Sequence, residues 1–316
     1  MSSSAPALAD TRRGRGDREA AARRALERAI VQTVAYADVF DYPLTADEVH
    51  RYLIGLPANR AAVRGALSSS KLLSDLLSRS GRYITLAGRE SIIETRRRRA
   101  AISSEYWVGA VGYGRQIGGL PFVRMVAVTG ALAMDNVGDA DIDYLIVTEP
   151  GRLWLCRGLV VGIVRLAALR GVTLCPNYFL TENTLVLEER NLFTAHEVTQ
   201  MVPVAGMATY EVLRTLNDWT ASHLPNAGGP PRRMHVAEGR ERAWYRLAET
   251  VLRSRLGGRI ERWEMERKLS KLRKRGDGHA EAAFGPDWCK GHFGDHGGLT
   301  LARFDERWRR LEPRLV

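Results

Sequence analysis

The sequence predicts an α/β (α+β) protein on three observations. Apolar, β-branched runs around 123–128, 141–148 and 172–180 read as strands of a small mixed sheet. Short helical stretches and a hairpin precede them, and a helical, basic region follows. Hydrophobic content of 45% and charged content of 26% are ordinary globular proportions, which excludes collagen-like, mucin-like and wholly disordered chains. At 316 residues, two or three domains are expected.

The first 24 residues lack the continuous apolar core of a signal peptide and read as a disordered basic lead-in. Residues 25–90 form the next unit. Leu26, Ile30, Val34 and Phe40 mark a helix that Pro43 breaks, and Thr45 with Glu48 forms a capping box opening a second. Pro57 and Asn59 precede a third helix with Val63 and Leu67 on one face, and SRSGRYITLAG supplies a short strand between glycines. Three helices and a small hairpin are the order of a winged helix-turn-helix. Such a module would either bind nucleic acid, with Arg79, Arg82 and Arg89 near the backbone, or dock a protein; Arg60 and Arg64 alone give its third helix little base-reading chemistry. The run Arg96–Arg99 reads as a solvated helix face.

Residues 91–225 form the core with its flanking helices. Val123 and Met125–Val128 make a buried strand ending at Thr129-Gly130, and ALAMDNV is helix-compatible. DADIDYLIVTEP is a second strand stopped by Pro150. Residues 151–170 are apolar enough to suggest a membrane span, but Arg152, Arg157, Arg165 and Arg170 interrupt them, so a packed amphipathic helix is expected. A third strand near Val172–Leu180 and a fourth at 184–188 follow, and NLFTAHEVTQMVP then turns helical. The final unit, 226–316, is a basic helical extension; Trp219 of the core unit and Trp244 and Trp263 of the extension are expected as packing anchors.

Charge and cysteine usage bound the partners. The formal charge of +11 favours polyanions without choosing one. Three scattered cysteines, Cys156, Cys175 and Cys289, suit a reducing cytoplasm better than a disulfide scaffold. Cys289, His292 and His296 have spacing compatible with zinc but lack a convincing fourth ligand.

The chemistry concentrates between Gly130 and Asp143. Gly130 ends a strand and Ala131 starts a helix, so backbone N–H groups there can cradle phosphate oxygens. Because side chains alternate along a strand, Asp141 and Asp143 share one face, with Ile142 and Tyr144 on the other. Paired carboxylates repel unless a cation sits between them, and Mg²⁺ (or Mn²⁺) takes such hard oxygen ligands while keeping places for phosphates.

A hydrophobic strand, Gly130-Ala131, nine residues and then Asp141-Ile142-Asp143-Tyr144 resemble the signature of the nucleotidyltransferase superfamily with the DNA polymerase β-type fold. The likeness covers about residues 30–225 and is closest to prokaryotic members with a winged-helix-like N-terminus. Cys175–Phe179, Thr194–Glu197 and Asn217–Trp219 are similar features. The resemblance implies transfer of a nucleoside monophosphate from an NTP to an acceptor hydroxyl on a small molecule, RNA or protein. Asp141 and Asp143 would hold Mg²⁺, while Gly130, Ala131 and Asn177 would contact the nucleotide; outside the resemblance, Lys290 and His292 in the glycine-rich 287–296 stretch are candidate cationic contacts to a nucleotide or acceptor phosphate.

Two departures stand out. Ala131 replaces a Ser or Gly, and Asn177 occupies the third strand where many active members carry a third carboxylate. Glu182 is the next acid, and Asp139 could partly compensate. An alternative follows: a non-catalytic nucleic-acid-binding or nucleotide-sensing regulator with a degenerate core.

Overall fold

The computed structural model describes residues 5–138, 141–232, 243–273, 284–290 and 296–315. It is a mixed α/β architecture with two small sheets, in two compact units. Among the described residues, no helix is long and apolar enough to cross a membrane.

The first unit gathers residues 1–96, 220–228 and 297–316. It contains α1 (Ala5–Asp38), β1 (Leu44–Thr45), α2 (Ala46–Arg51), α3 (Arg60–Ser69), α4 (Lys71–Leu76), β2 (Leu77–Ser80) and β3 (Tyr83–Leu86). It also holds the first turn of α5 (Ile92–Gly118), then α10 (Thr220–His223) and nearly all of α13 (His296–Leu311). The strands pair antiparallel in the order β1-β3-β2.

The expected capping box forms: Thr45 Oγ1 accepts from the Glu48 N–H at 3.3 Å, and Glu48 Oε2 accepts from the Thr45 N–H at 2.7 Å. Thr45→Ala is expected to lower this unit's stability by about 1 kcal/mol, read as a shift in its urea midpoint at unchanged slope.

Glu48 has a second task. It receives Arg96 Nη2 at 2.7 Å and the Tyr42 hydroxyl at 2.8 Å, while Arg96 lies 3.8 Å over the Tyr42 ring. Burial pushes the Glu48 carboxyl up, but Arg96 and the hydrogen bonds outweigh it and hold the group below its usual range. Arg96 is therefore buried, contrary to the solvated face expected of the arginine run, whereas Arg97 and Arg98 are exposed as expected. One turn of helix separates inward from outward positions, which composition alone does not show.

Two boundaries also differ. The helix begins at Ala5, inside the stretch expected to be a disordered lead-in, because its many Ala and Arg residues are strong helix formers. The C-terminal region is not one extension, since residues 297–316 join the first unit and 229–296 the second.

The second unit gathers residues 97–219 and 229–296. Its elements after α5 are β4 (Val123–Val128), α6 (Gly130–Ala133), β5 (Asp141–Thr148), α7 (Leu153–Ala168), β6 (Thr173–Thr181) and a 3₁₀ turn (Glu182–Thr184). Then come α8 (Leu192–Gln200), β7 (Val202–Ala205), α9 (Met207–Leu216), α11 (Ala243–Leu252), α12 (Arg255–Arg273) and β8 (Trp288–Lys290). The sheet order is β7-β4-β5-β6-β8; β5 and β6 are parallel and the other pairs antiparallel.

Alternation along the strands gives each face its own core. Ile142, Tyr144 and Ile146 pack with α5 and α7, including Trp107, Ala110, Trp154 and Val160. Leu145 and Val147 pack on the opposite face with Val198 and Met201 beside α8 and with Tyr210 and Leu213 of α9. The sheet thus carries helices on both sides, and α7 is the packed helix expected of 151–170.

Residues 184–188, expected as a strand, are instead a 3₁₀ turn and loop. Asn217 replaces the ladder there: its side chain accepts from the Leu187 N–H at 2.9 Å and donates to the Leu185 carbonyl at 2.7 Å. The helix expected over NLFTAHEVTQMVP stops at Gln200, and Val202–Ala205 becomes an edge strand, where Pro203 is tolerated. The chain leaves β7 through Gly206, whose φ of +74° and closeness to the Arg124 carbonyl leave no room for a Cβ.

Candidate active site

The site is built where β4 ends beside the start of β5. Thr129 donates its N–H to the Asp143 carbonyl at 3.0 Å, tying the turn after β4 to the acidic strand. Gly130 follows with φ +64°, a conformation L side chains rarely adopt. A Cβ at Gly130 would collide with the carboxylate of Asp143. The glycine turn and the second acid therefore lie in contact, as the spacing between them predicts. The helix that begins here is only four residues long, so its dipole contributes little; anion holding would rest on the N–H groups of the turn.

Asp141 and Asp143 occupy alternate positions on β5, on the side that leads into Leu145 and Val147, opposite Ile142 and Tyr144. Asp141 is exposed and Asp143 half-buried. Burial, reinforced by the charge of Asp141, pushes the Asp143 carboxyl up to about 6, against the hydrogen bond from Asn177. The two acids are electrostatically coupled.

β6 supplies the next residues. Register places Cys175 beside Asp143 and Pro176 beside Tyr144, and then skips to Tyr178 beside Leu145. Asn177 is the residue left over at this bulge, and its side-chain N–H donates to Asp143 Oδ1. It touches the acid pair as expected, but as a neutral donor. Cys175 points its thiol at Asp141 Oδ2, 3.8 Å away; burial and the two aspartates push that thiol up to about 11, so it stays protonated.

A further carboxylate, in the Thr194–Glu197 stretch noted in the sequence, is electrostatically coupled to the acid pair. Glu197, on α8, is half-buried, and burial together with the charge of Asp143 pushes its carboxyl up to about 7. Its neighbour His196 is occupied within the helix, with Nδ1 2.9 Å from the Leu192 carbonyl. The sequence marked Thr194–Glu197 as part of the resemblance without giving Glu197 a role; the burial of Ala195, Val198 and Thr199 now shows that Glu197 lies on a helix packed against the sheet.

Other expected residues do not join the site. Lys290 lies on β8 opposite Tyr178, two strands from β5, and its ammonium is 3.2 Å from Glu189. Glu182 sits beyond the far end of β6, 3.7 Å from Arg124. Asp139 and His292 lie outside the described residues. Cys289 is buried, and burial pushes its thiol up against the charge of Arg157. Trp219 is an anchor as expected, donating to Asn217 Oδ1 at 3.0 Å, and the Trp244 side chain is outside the described part. Trp263 contradicts its expected role, being 61% exposed.

The donor set suits a hard, oxygen-seeking cation of the Mg²⁺ or Mn²⁺ type: two carboxylates that repel each other, with Asp141 open to solvent. Among the described residues, no group of three or more His, Cys, Asp or Glu side chains is gathered closely enough to hold a metal by itself. Two carboxylates completed by water and phosphate oxygens are a common Mg²⁺ arrangement.

Compared with known protein families, curated proteins and solved structures, the chain matches none.

Proposed function

We propose that this chain is a nucleotidyltransferase of the DNA polymerase β type, moving a nucleoside monophosphate from an NTP to an acceptor hydroxyl. One observation carries the reading: the space a Gly130 side chain would need is taken by the Asp143 carboxylate. Phosphate-holding backbone and a cation-holding acid are thereby brought to one point, the minimum apparatus for this chemistry.

In the reaction, the acceptor oxygen bonds to the α-phosphorus, the bond to the β-phosphate bridging oxygen breaks, and pyrophosphate leaves. Mg²⁺, when bound, neutralises triphosphate charge. Asp141 and Asp143 would hold the cation, which would supply charge neutralisation beside the α-phosphate. The turn at Gly130–Ala131 receives the terminal phosphates through backbone N–H groups. Asn177 fixes the Asp143 carboxylate by donating to one oxygen. The proton of the acceptor hydroxyl passes to solvent, with Glu197 of α8, whose carboxyl feels the charge of Asp143, as the candidate alternative acceptor.

A second reading keeps the fold and drops the reaction: a nucleotide-sensing or nucleic-acid-binding regulator. Asn177 favours it, since the amide cannot act as a base. The helix and strand order of the first unit fits a winged-helix-like module in either case. Of its candidate contacts, Arg60, Arg79 and Arg82 are exposed, but Arg64 pairs with Asp47 at 2.9 Å and Arg89 with Asp38 at 2.8 Å. Protein docking therefore suits this module better than groove reading.

The test is label transfer from α-³²P-NTPs in cell extract supplemented with Mg²⁺. The enzyme reading expects a labelled acceptor, with label falling at least about 10²-fold in the Asp141→Asn/Asp143→Asn protein. Metal-dependent nucleotide binding without transfer to any acceptor supports the sensor instead. Equal labelling by wild type and the double variant would remove these aspartates from the mechanism.

A further inference from the structure

Helix α12 faces the wrong way for an ordinary surface helix. Its buried side carries acids. Glu261 accepts from the Trp154 and Leu155 N–H groups at 2.9 and 2.6 Å, completing the start of α7, and buried Glu264 lies 3.6 Å from Arg157. Met265 packs inward against the core, but three other apolar side chains lie outside. Leu256, Ile260 and Trp263, spaced i, i+4 and i+7 on one stripe, are 56%, 37% and 61% exposed. Arg255, Arg259 and Arg262 are exposed on the adjoining outward face, with Glu266 the one acid among them. Arg267 stands 5.5 Å over the Trp263 ring.

We propose that this stripe is a peripheral docking surface for an anionic lipid bilayer, with α12 lying in the headgroup plane. Its requirements are met side by side: an aliphatic and indole line to enter the acyl boundary, and arginines beside it to meet lipid phosphates. Trp suits that depth because its ring is apolar and its N–H polar. Charge complementarity selects the occupant. A second copy would bring three like-charged arginines against three, so self-association across this face is opposed. A nucleic acid would use the arginines but leave Leu256 and Ile260 against a polar surface. Glu261 faces α7, and Glu264 pairs with Arg267 as well as lying near Arg157, so the charge left for lipid phosphates is that of Arg255, Arg259 and Arg262.

The experiment is flotation of the full chain with vesicles of pure phosphatidylcholine, and of phosphatidylcholine and phosphatidylglycerol in equal parts. The wild type is expected to float with the mixed vesicles only. A Leu256→Ser/Ile260→Ser/Trp263→Ser protein, unchanged in charge, is expected to partition at least about tenfold more weakly. An unchanged melting curve establishes that this variant folds. Arg255→Gln/Arg259→Gln/Arg262→Gln protein, which keeps the stripe, should lose its preference for anionic vesicles and serves if the first variant does not fold. Equal partitioning of wild type and stripe variant would reduce the effect to bulk charge and overturn the proposal. So would an absence of flotation, an oligomer that dissolves when the stripe is removed, or oligonucleotide binding lost with the same three residues.

Discussion

Asp143→Asn is expected to weaken Mg²⁺-dependent NTP binding by roughly 10²-fold or more, while making the metal-free protein more stable at pH 8. The two effects share one cause. Asp143 is held half-buried beside Asp141, and this environment raises its carboxyl from 3.8 to about 6. Each unit of such a shift corresponds to about 1.4 kcal/mol, and screening at a partly exposed site reduces the total to about 1–2 kcal/mol. Asparagine keeps the shape and removes the charge, so the folded state is relieved and the unfolded state is scarcely affected. A rise of about 2–6 °C in melting temperature is expected for the second unit. Isothermal titration with Mg·NTP and calorimetric melting of the same protein check both halves. Loss of binding together with loss of stability would mean that Asp143 is a structural acid.

The pH dependence follows with its sign fixed. Asp143 and Glu197 both titrate higher in the folded protein, at about 6 and about 7, than their ordinary values of 3.8 and 4.5. The folded state therefore keeps protons that the unfolded state has already released. That contribution is complete below the ordinary carboxylate range and is lost as pH rises through 6 and 7. Metal-free wild type should melt progressively lower from pH 5 to pH 8 relative to Asp143→Asn/Glu197→Gln protein, and Mg²⁺ with nucleotide should narrow that gap.

Much of the site was legible because strand periodicity is a local property. One face for Asp141 and Asp143 and the other for Ile142 and Tyr144 follow from a period of two. Their contact with Gly130 follows from a strand, a turn and a returning strand of suitable length. What was missed depends on distant partners. Glu197 gains its meaning only when α8 is laid on the sheet near Asp143, a placement set by Val198 and Met201 packing against β-strand side chains. The three-residue strand β8 exists because β6 offers it an edge, and Asn217 holds a loop more than 25 residues away. Helix α5 carries Gly114 and Gly118 at inward positions, where close approach to Val204 and Ala205 rather than hydrophobicity decides the residue. The exposure of Trp263 was likewise invisible, because helical spacing does not say which face turns inward.

Gly130→Ala should abolish nucleotide binding to a similar extent as Asp143→Asn, but with stability moving the other way. A left-handed backbone costs an L residue about 1–2 kcal/mol, and the added methyl must also displace the Asp143 carboxylate from Asn177. A fall of several degrees in melting temperature is therefore expected with the loss of Mg·NTP affinity. Pairing the change with Asp143→Ala separates the two costs. With the carboxylate gone, the methyl has most of the room it needs, so the steric share of the penalty should disappear while the backbone share persists. The melting cycle over Gly130→Ala and Asp143→Ala should accordingly be non-additive by about 1 kcal/mol or more, the mark of residues in contact. Nucleotide affinity should stay lost in all three variants. Strict additivity in stability would show that turn and acid do not touch in solution, and the proposed assembly of phosphate cradle and cation site would go with that contact.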